Sequence, residues 1–95
     1  MAMKEPLSRS DARARLLRIL EDGVVTYSVP HALDRLRERG LSLVDCENVL
    51  RGGAVDEAEW ENGAWRHRVR TRRLTVVIQF LSEQELLVGT AWRTE

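Results

Sequence analysis

An α+β domain, helices first and sheet second, is what this sequence predicts. Up to Gly52 and Gly53 the apolar residues recur at helical spacing. From Ala54 onward the period drops to two and the runs are broken by turn residues. At 95 residues the chain can bury one core, so residues 1–95 are expected to form a single domain without a linker. The expected architecture is three N-terminal helices, with a short strand after the first, on one face of an antiparallel meander of about four strands.

The first helix is expected behind Ser8 or Ser10 as N-cap, with Ala12, Leu16, Ile19 and Leu20 on one stripe and Gly23 as its stop. "VVTYS", Val24 to Ser28, is short and β-branched and reads as a brief strand or extended connection. Ser28 or Val29 can cap a second helix with Pro30 in its first turn, its stripe running Val29, Ala32, Leu33, Leu36 until Gly40. Ser42 with Asp45 three residues on resembles a capping box, opening a third helix with Leu43, Cys46, Val49 and Leu50 inward. Four strand-like runs follow, "AVDEAEW", "AWRHRVR", "RLTVVIQFL" and "LLVGTAWR", parted by Asn62-Gly63, Thr71-Arg72 and Ser82 to Glu85.

Charge is balanced overall, with 15 basic and 15 acidic side chains, so any pull on a polyanion must come from local clustering. That clustering exists. Asp45 to Glu61 holds six acids against Arg51 alone, and Arg66 to Arg73 holds five arginines and no acid.

Strand phasing decides where those arginines point. A two-residue Asn62-Gly63 turn sets Trp60 beside Trp65, Glu59 opposite Arg66 and Glu57 opposite Arg68. A second two-residue turn at Thr71-Arg72 sets Arg68 against Thr75 and His67 against Val76. One face then collects Trp65, His67, Val69, Leu74, Val76, Ile78, Phe80 and Leu87, and the helices are expected to cover it. The other collects Glu57, Glu59, Arg66, Arg68, Arg70, Arg73, Thr75, Gln79, Thr90 and Trp92. On that face Glu57 and Glu59 can neutralise Arg66 and Arg68 as ordinary surface pairs. Arg70, Arg72 and Arg73 have no acid beside them in this register, and the guanidinium fork matches phosphate oxygens while Trp92 can stack a base or simply cap the sheet edge.

The remaining chemistry-bearing residues have structural readings beside the functional ones. His67 is expected under the helices. His31 lies away from the helix-two stripe with Arg35 on its side, which a solvated helix face also explains. Cys46 falls within an apolar stripe, as a buried inert thiol does. No metal-ligand spacing, P-loop or G-x-S-x-G occurs, so no cofactor is expected. No run is long and apolar enough for a membrane span, no signal-like start is seen, and one cysteine cannot build a disulfide framework; the expected compartment is the cytoplasm.

"YSVPHALDRLRERGLSLVDCENVLRGG", Tyr27 to Gly53, resembles the H-A-x-x-R-x-x-x-R-G-[IL]-S signature of a family of small bacterial domains. From Ser8 to Arg93 the order of elements is similar to that of the motility quorum-sensing regulator (MqsR) toxins of the RelE-like ribonuclease superfamily. That resemblance implies a type II toxin that cleaves mRNA without a metal, is neutralised by a cognate antitoxin, and carries its site on the open face of the sheet. It implies roles for Arg66, which follows the strand Trp65, and for Arg93 near the C-terminus. The residues that could serve such chemistry are Arg66, Arg68, Arg70, Glu57 and His31 for catalysis, and Arg70, Arg72, Arg73, Gln79, Trp92 and Arg93 for binding RNA phosphates and bases. Arginine supplies the cation but not the base at neutral pH, and Glu57, Glu59, Tyr27 and His31 are the proton acceptors available. The alternative expectation is a non-catalytic module whose mixed acid and base hairpin meets a protein partner or nucleic acid.

Overall fold

The computed structural model describes residues 5–94. Three helices, α1 (Arg9–Asp22), α2 (His31–Glu38) and α3 (Leu43–Gly52), accompany six strands: β1 (Val24–Tyr27), β2 (Ala54–Val55), β3 (Glu59–Glu61), β4 (Ala64–Arg70), β5 (Leu74–Phe80) and β6 (Glu85–Arg93). The sheet order is β1-β6-β5-β4-β2, with β3 pairing β4 outside that path. The α+β class is therefore correct, and the sheet is larger and more mixed than an antiparallel meander of four. β1 supplies the difference: it lies parallel to β6, Val24 opposite Glu85 and Tyr27 opposite Val88.

Local chemistry sets the helix ends. Ser8 Oγ accepts from the Asp11 amide at 3.1 Å and caps α1. The Asp45 amide donates to Ser42 Oγ at 3.1 Å and the Ser42 amide donates to Asp45 Oδ2 at 2.8 Å, a complete capping box on α3. For α2 the expected serine or valine cap is absent, Pro30 occupies the N-cap, and Val29 is 74% exposed and off the stripe, which is Ala32 and Leu36. The chain is still leaving β1 at Val29, so it has not reached the helix that would turn the side chain inward.

All three helices bury an apolar stripe against the same side of the sheet, although Leu43, expected inward on α3, stays exposed in its first turn. Ala12, Leu16 and Ile19 from α1, Leu36 from α2, and Cys46, Val49 and Leu50 from α3 form one cluster with Val55, Val69, Val76, Ile78, Phe80, Leu86, Val88 and Ala91. Each fully buried aliphatic side chain contributes about 1.5–3 kcal/mol of transfer free energy. Gly53 is required where α3 hands over to β2, because a Cβ there would stand 2.6 Å from the Val49 carbonyl oxygen and 3.0 Å from that of Arg70.

The Asn62-Gly63 turn forms as its residues dictate, with φ of 49° at Asn62 and 81° at Gly63. It holds Glu59 opposite Arg66 and Trp60 opposite Trp65. The next turn is centred one residue later than expected, on Arg72 and Arg73, with the Thr71 amide donating to Leu74 O at 2.9 Å. Arg70 consequently faces Thr75 and Val69 faces Val76. That is a slip of two residues, and since side chains alternate with period two it leaves every β4 and β5 residue on its expected face.

Two bulges change the rest. Val55 faces Val69 while Glu59 faces Arg66, so the first run carries one extra residue around Asp56 to Ala58 and breaks into β2 and β3. In β6, Val77 faces Thr90 but Ile78 faces Val88, and the extra residue is Gly89. Gly89 reverses the phase of everything before it. Leu86 and Val88 become core, and Leu87, expected under the helices, moves to the open face opposite Gln79.

Candidate functional site

On the side of the sheet away from the helices stand Arg66, Arg68 and Arg70 of β4, Thr75, Val77 and Gln79 of β5, and Leu87, Thr90 and Trp92 of β6, as the register requires. Thr75 and Val77 are only 1% and 5% exposed although no helix covers them. Their cover is local. Trp92 lies opposite Thr75, and Arg68 and Thr90 flank Val77, so the long stems and the indole lie down across the sheet with their polar ends outward.

Arg68 is the centre of this surface. Its guanidinium carbon lies 5.6 Å from the centre of the Trp92 ring, within the reach of a cation–π contact. One terminal nitrogen is 3.6 Å from a Glu61 carboxylate oxygen and 3.9 Å from one of Glu59, while its Nε is buried without a hydrogen-bond partner among the described residues. Arg66 is held differently: Nε donates to the Glu61 carbonyl at 3.3 Å. Its Nη1 sits 3.2 Å from where a Cβ on residue 89 would stand. The glycine in the β6 bulge is thus what lets this guanidinium lie close over the strand.

Arg70 is not a free cation. Asp56 grips it with two contacts, Nε to Oδ2 at 2.8 Å and Nη2 to Oδ1 at 2.9 Å, the bidentate geometry of a strong charge-assisted pair. The expectation that no acid stands near Arg70 fails because the bulge turns Asp56 toward it. The same bulge moves Glu57 off the open face: it lines a recess with Pro6, Leu7 and Ser8 before α1. Arg93 also leaves the face. It pairs with Leu74, on the helical side, and Nη2 donates to the Arg39 carbonyl at 3.3 Å. Arg72 and Arg73 are exposed in the turn beyond the strands, and among the described residues neither is in an ion pair. His31 is exposed at the start of α2, and none of the hydrogen bonds or ion pairs among the described residues ties it to the arginines.

His67 is where phasing placed it, 2% exposed beneath the helices, with Nδ1 donating to Asp56 O at 3.1 Å and its ring edge-on to Phe80 at 5.6 Å. Trp65 is only half-buried, since the β3–β4 hairpin runs past the helices, and it meets Trp60 edge-on at 5.3 Å. The open face therefore gathers Arg66, Arg68, Gln79 and Trp92 of the expected residues, with Glu59 beside Arg68 and Arg70 held by Asp56. Glu61, Asp56 and Gly89 are partners that pattern reading did not single out. A glycine interrupting a β-branched run was the only local signal for the last of them.

Tyr27 is removed from the open face. Parallel pairing with Val88 turns it toward the helices, where its hydroxyl is buried and unpartnered among the described residues. Burial, then the neighbouring Cys46 and Glu47, push its phenol from 10.0 up to about 12. Burial, then Asp45, push the Cys46 thiol from 9.0 up to about 11. Both groups are neutral when protonated, so the folded state holds these protons more tightly than the unfolded one. Their stabilising contribution is complete below pH 9.0 and is lost as pH rises to about 12. Urea midpoints should fall between about pH 8 and about pH 11, and Tyr27→Phe should shrink that fall without cost at the lower pH. An equal fall in wild type and variant would deny Tyr27 its part.

No family model, curated protein or solved structure matches the chain. The chemistry of the open face is what speaks to function.

Proposed function

We propose that this protein binds single-stranded RNA on the open face of its sheet and cleaves it there, as the toxin half of a toxin–antitoxin pair in the RelE-like manner. The observation that supports this reading is the stack of Arg68 on Trp92, with Arg66 beside it and a carboxylate at 3.6 Å. An indole offers a platform for a base, and two guanidiniums match phosphate oxygens. In the proposed reaction the 2′-oxygen forms a bond to the adjacent phosphorus, the bond from phosphorus to the 5′-oxygen breaks, and the proton passes from the 2′-hydroxyl to Glu61 and then to the leaving oxygen. Arg66 and Arg68 carry the charge that builds on the phosphoryl oxygens.

Glu61→Gln keeps the shape of the hairpin and removes the acceptor. It should lower cleavage of a purified transcript by about 100-fold or more while RNA binding persists. Full activity in this variant would assign the proton transfer elsewhere, and intact transcript with wild-type protein would remove catalysis from the proposal.

A second reading has its own observation in favour. Asp56 and the Glu59 and Glu61 pair already neutralise Arg70 and Arg68, as expected of a non-catalytic face that meets a protein partner. Purification from the native host separates the two: a stable protein complex without ribonuclease activity supports the module, and growth arrest on induction supports the toxin.

A further inference from the structure

The open face has a neighbour in which Arg72, Arg73 and Arg93, expected from the sequence to bind phosphates, are joined by Arg39, which was not. At the end of the sheet where β4 passes into β5 and β6 finishes, the turn residues Arg72 and Arg73 come beside Arg93, because Leu74 pairs with Arg93 and the Thr94 amide donates to Arg73 O at 2.7 Å. The end of α2 reaches the same place. Arg39 donates to the Ala91 carbonyl, and Arg93 donates to the Arg39 carbonyl at 3.3 Å. Four arginines thus meet at one end of the sheet, Arg39 and Arg93 on its helical side and Arg72 and Arg73 in the turn, around the end of β6 from Trp92 on the open side.

The rim differs from the row on β4 in how its charge is handled. Arg68 and Arg70 face carboxylates, loosely for Arg68 and tightly for Arg70, which offset part of their charge locally. Arg39 and Arg93 are held by backbone carbonyls, which orient a guanidinium and leave its charge and most of its five N–H donors unspent. Arg72 and Arg73 are exposed, and among the described residues no carboxylate pairs with any of the four. In a chain with no net charge, four arginines gathered without a paired carboxylate give this rim a local pull on a polyanion.

We infer that the Arg39, Arg72, Arg73 and Arg93 rim is a second RNA contact, tracking the phosphates of the strand as it leaves the Trp92 platform. The inference rests on the proposed RNA-binding face and adds an extended footprint to it: the ligand is a single strand several nucleotides long, held by base stacking at one end and by charge at the other. The adjoining indole favours a ligand with bases and phosphates over an acidic protein surface.

Oligouridines of increasing length, titrated at several salt concentrations, test it. Wild type should gain affinity with length. The Arg72→Ala/Arg73→Ala variant, altered only at exposed turn positions, should lose that gain and lower the slope of log affinity against log salt by about 1.4, two phosphates at roughly 0.7 each on single strands. Trp92→Ala should weaken short and long strands alike and leave the slope in place. Binding that needs Trp92 but shows an unchanged slope in the double variant overturns the rim alone. No binding by wild type at any length overturns the open-face reading as well. Displacement of RNA by polyglutamate, bound independently of Trp92, overturns the rim in favour of an acidic protein partner.

Discussion

Ile78→Ala should cost about 2–5 kcal/mol of stability, the range for deleting a large aliphatic side chain from a core that cannot fully collapse. Ile78 is fully buried on β5, which is bonded on both sides, to β4 at His67 and to β6 at Val88. Its side chain belongs to the cluster fed by all three helices. Against a typical domain stability of about 5–15 kcal/mol, a loss of that size leaves little reserve. At about 4–8 °C per kcal/mol for a domain of this length, the melting temperature should drop by about 8 °C at the least. Thermal unfolding followed by circular dichroism reads the effect directly. Val77→Ala is the internal comparison, because Val77 lies one residue away beneath arginine stems and an indole, a cover that can settle into the space. It should cost less, and equal losses would show that the open face is packed as rigidly as the helical one.

Trp92→Ala should weaken binding of single-stranded RNA by about fivefold to about a hundredfold, the equivalent of the roughly 1–3 kcal/mol that a base–aromatic stack contributes. The effect has two sources here. A base loses its platform, and Arg68, whose guanidinium rests 5.6 Å from the ring centre, loses the surface that positions it. Trp92→Phe restores a ring and should recover much of the loss. Arg68→Ala should weaken binding comparably and, unlike Trp92→Ala, should also flatten the salt dependence, since a phosphate contact is removed. Fluorescence anisotropy with a labelled oligonucleotide distinguishes these cases. Unaltered affinity in both alanine variants, with circular dichroism unchanged, would sink the proposal for this face.

Much of the fold could be read from short-range chemistry. Ser42 and Asp45 announce their own cap, Asn62-Gly63 announces its own turn, and the alternation through β4 places His67 under the helices even though the following turn is displaced. A two-residue slip is invisible to a period of two. What could not be read was long-range or off by one. Nothing local in Val24 to Tyr27 says that these residues pair with Glu85 to Val88. The bulges at Asp56 to Ala58 and at Gly89 each insert a single residue, which exchanges faces: hence Leu87 on the open side, Glu57 off it, and Asp56 as the partner of Arg70. Arg93 was misplaced for another reason. It lies one residue beyond Trp92, and alternation sends its side chain toward α2, where a backbone carbonyl was waiting.

The parallel pairing of β1 with β6 carries a consequence for synthesis on the ribosome. Among the described residues β1 has β6 as its one sheet neighbour, so this edge of the sheet cannot form until both strands have left the ribosome and the long stretch between them has been closed into a loop. Pulse-labelled hydrogen exchange during refolding should show β1 amides gaining protection no earlier than those of β6.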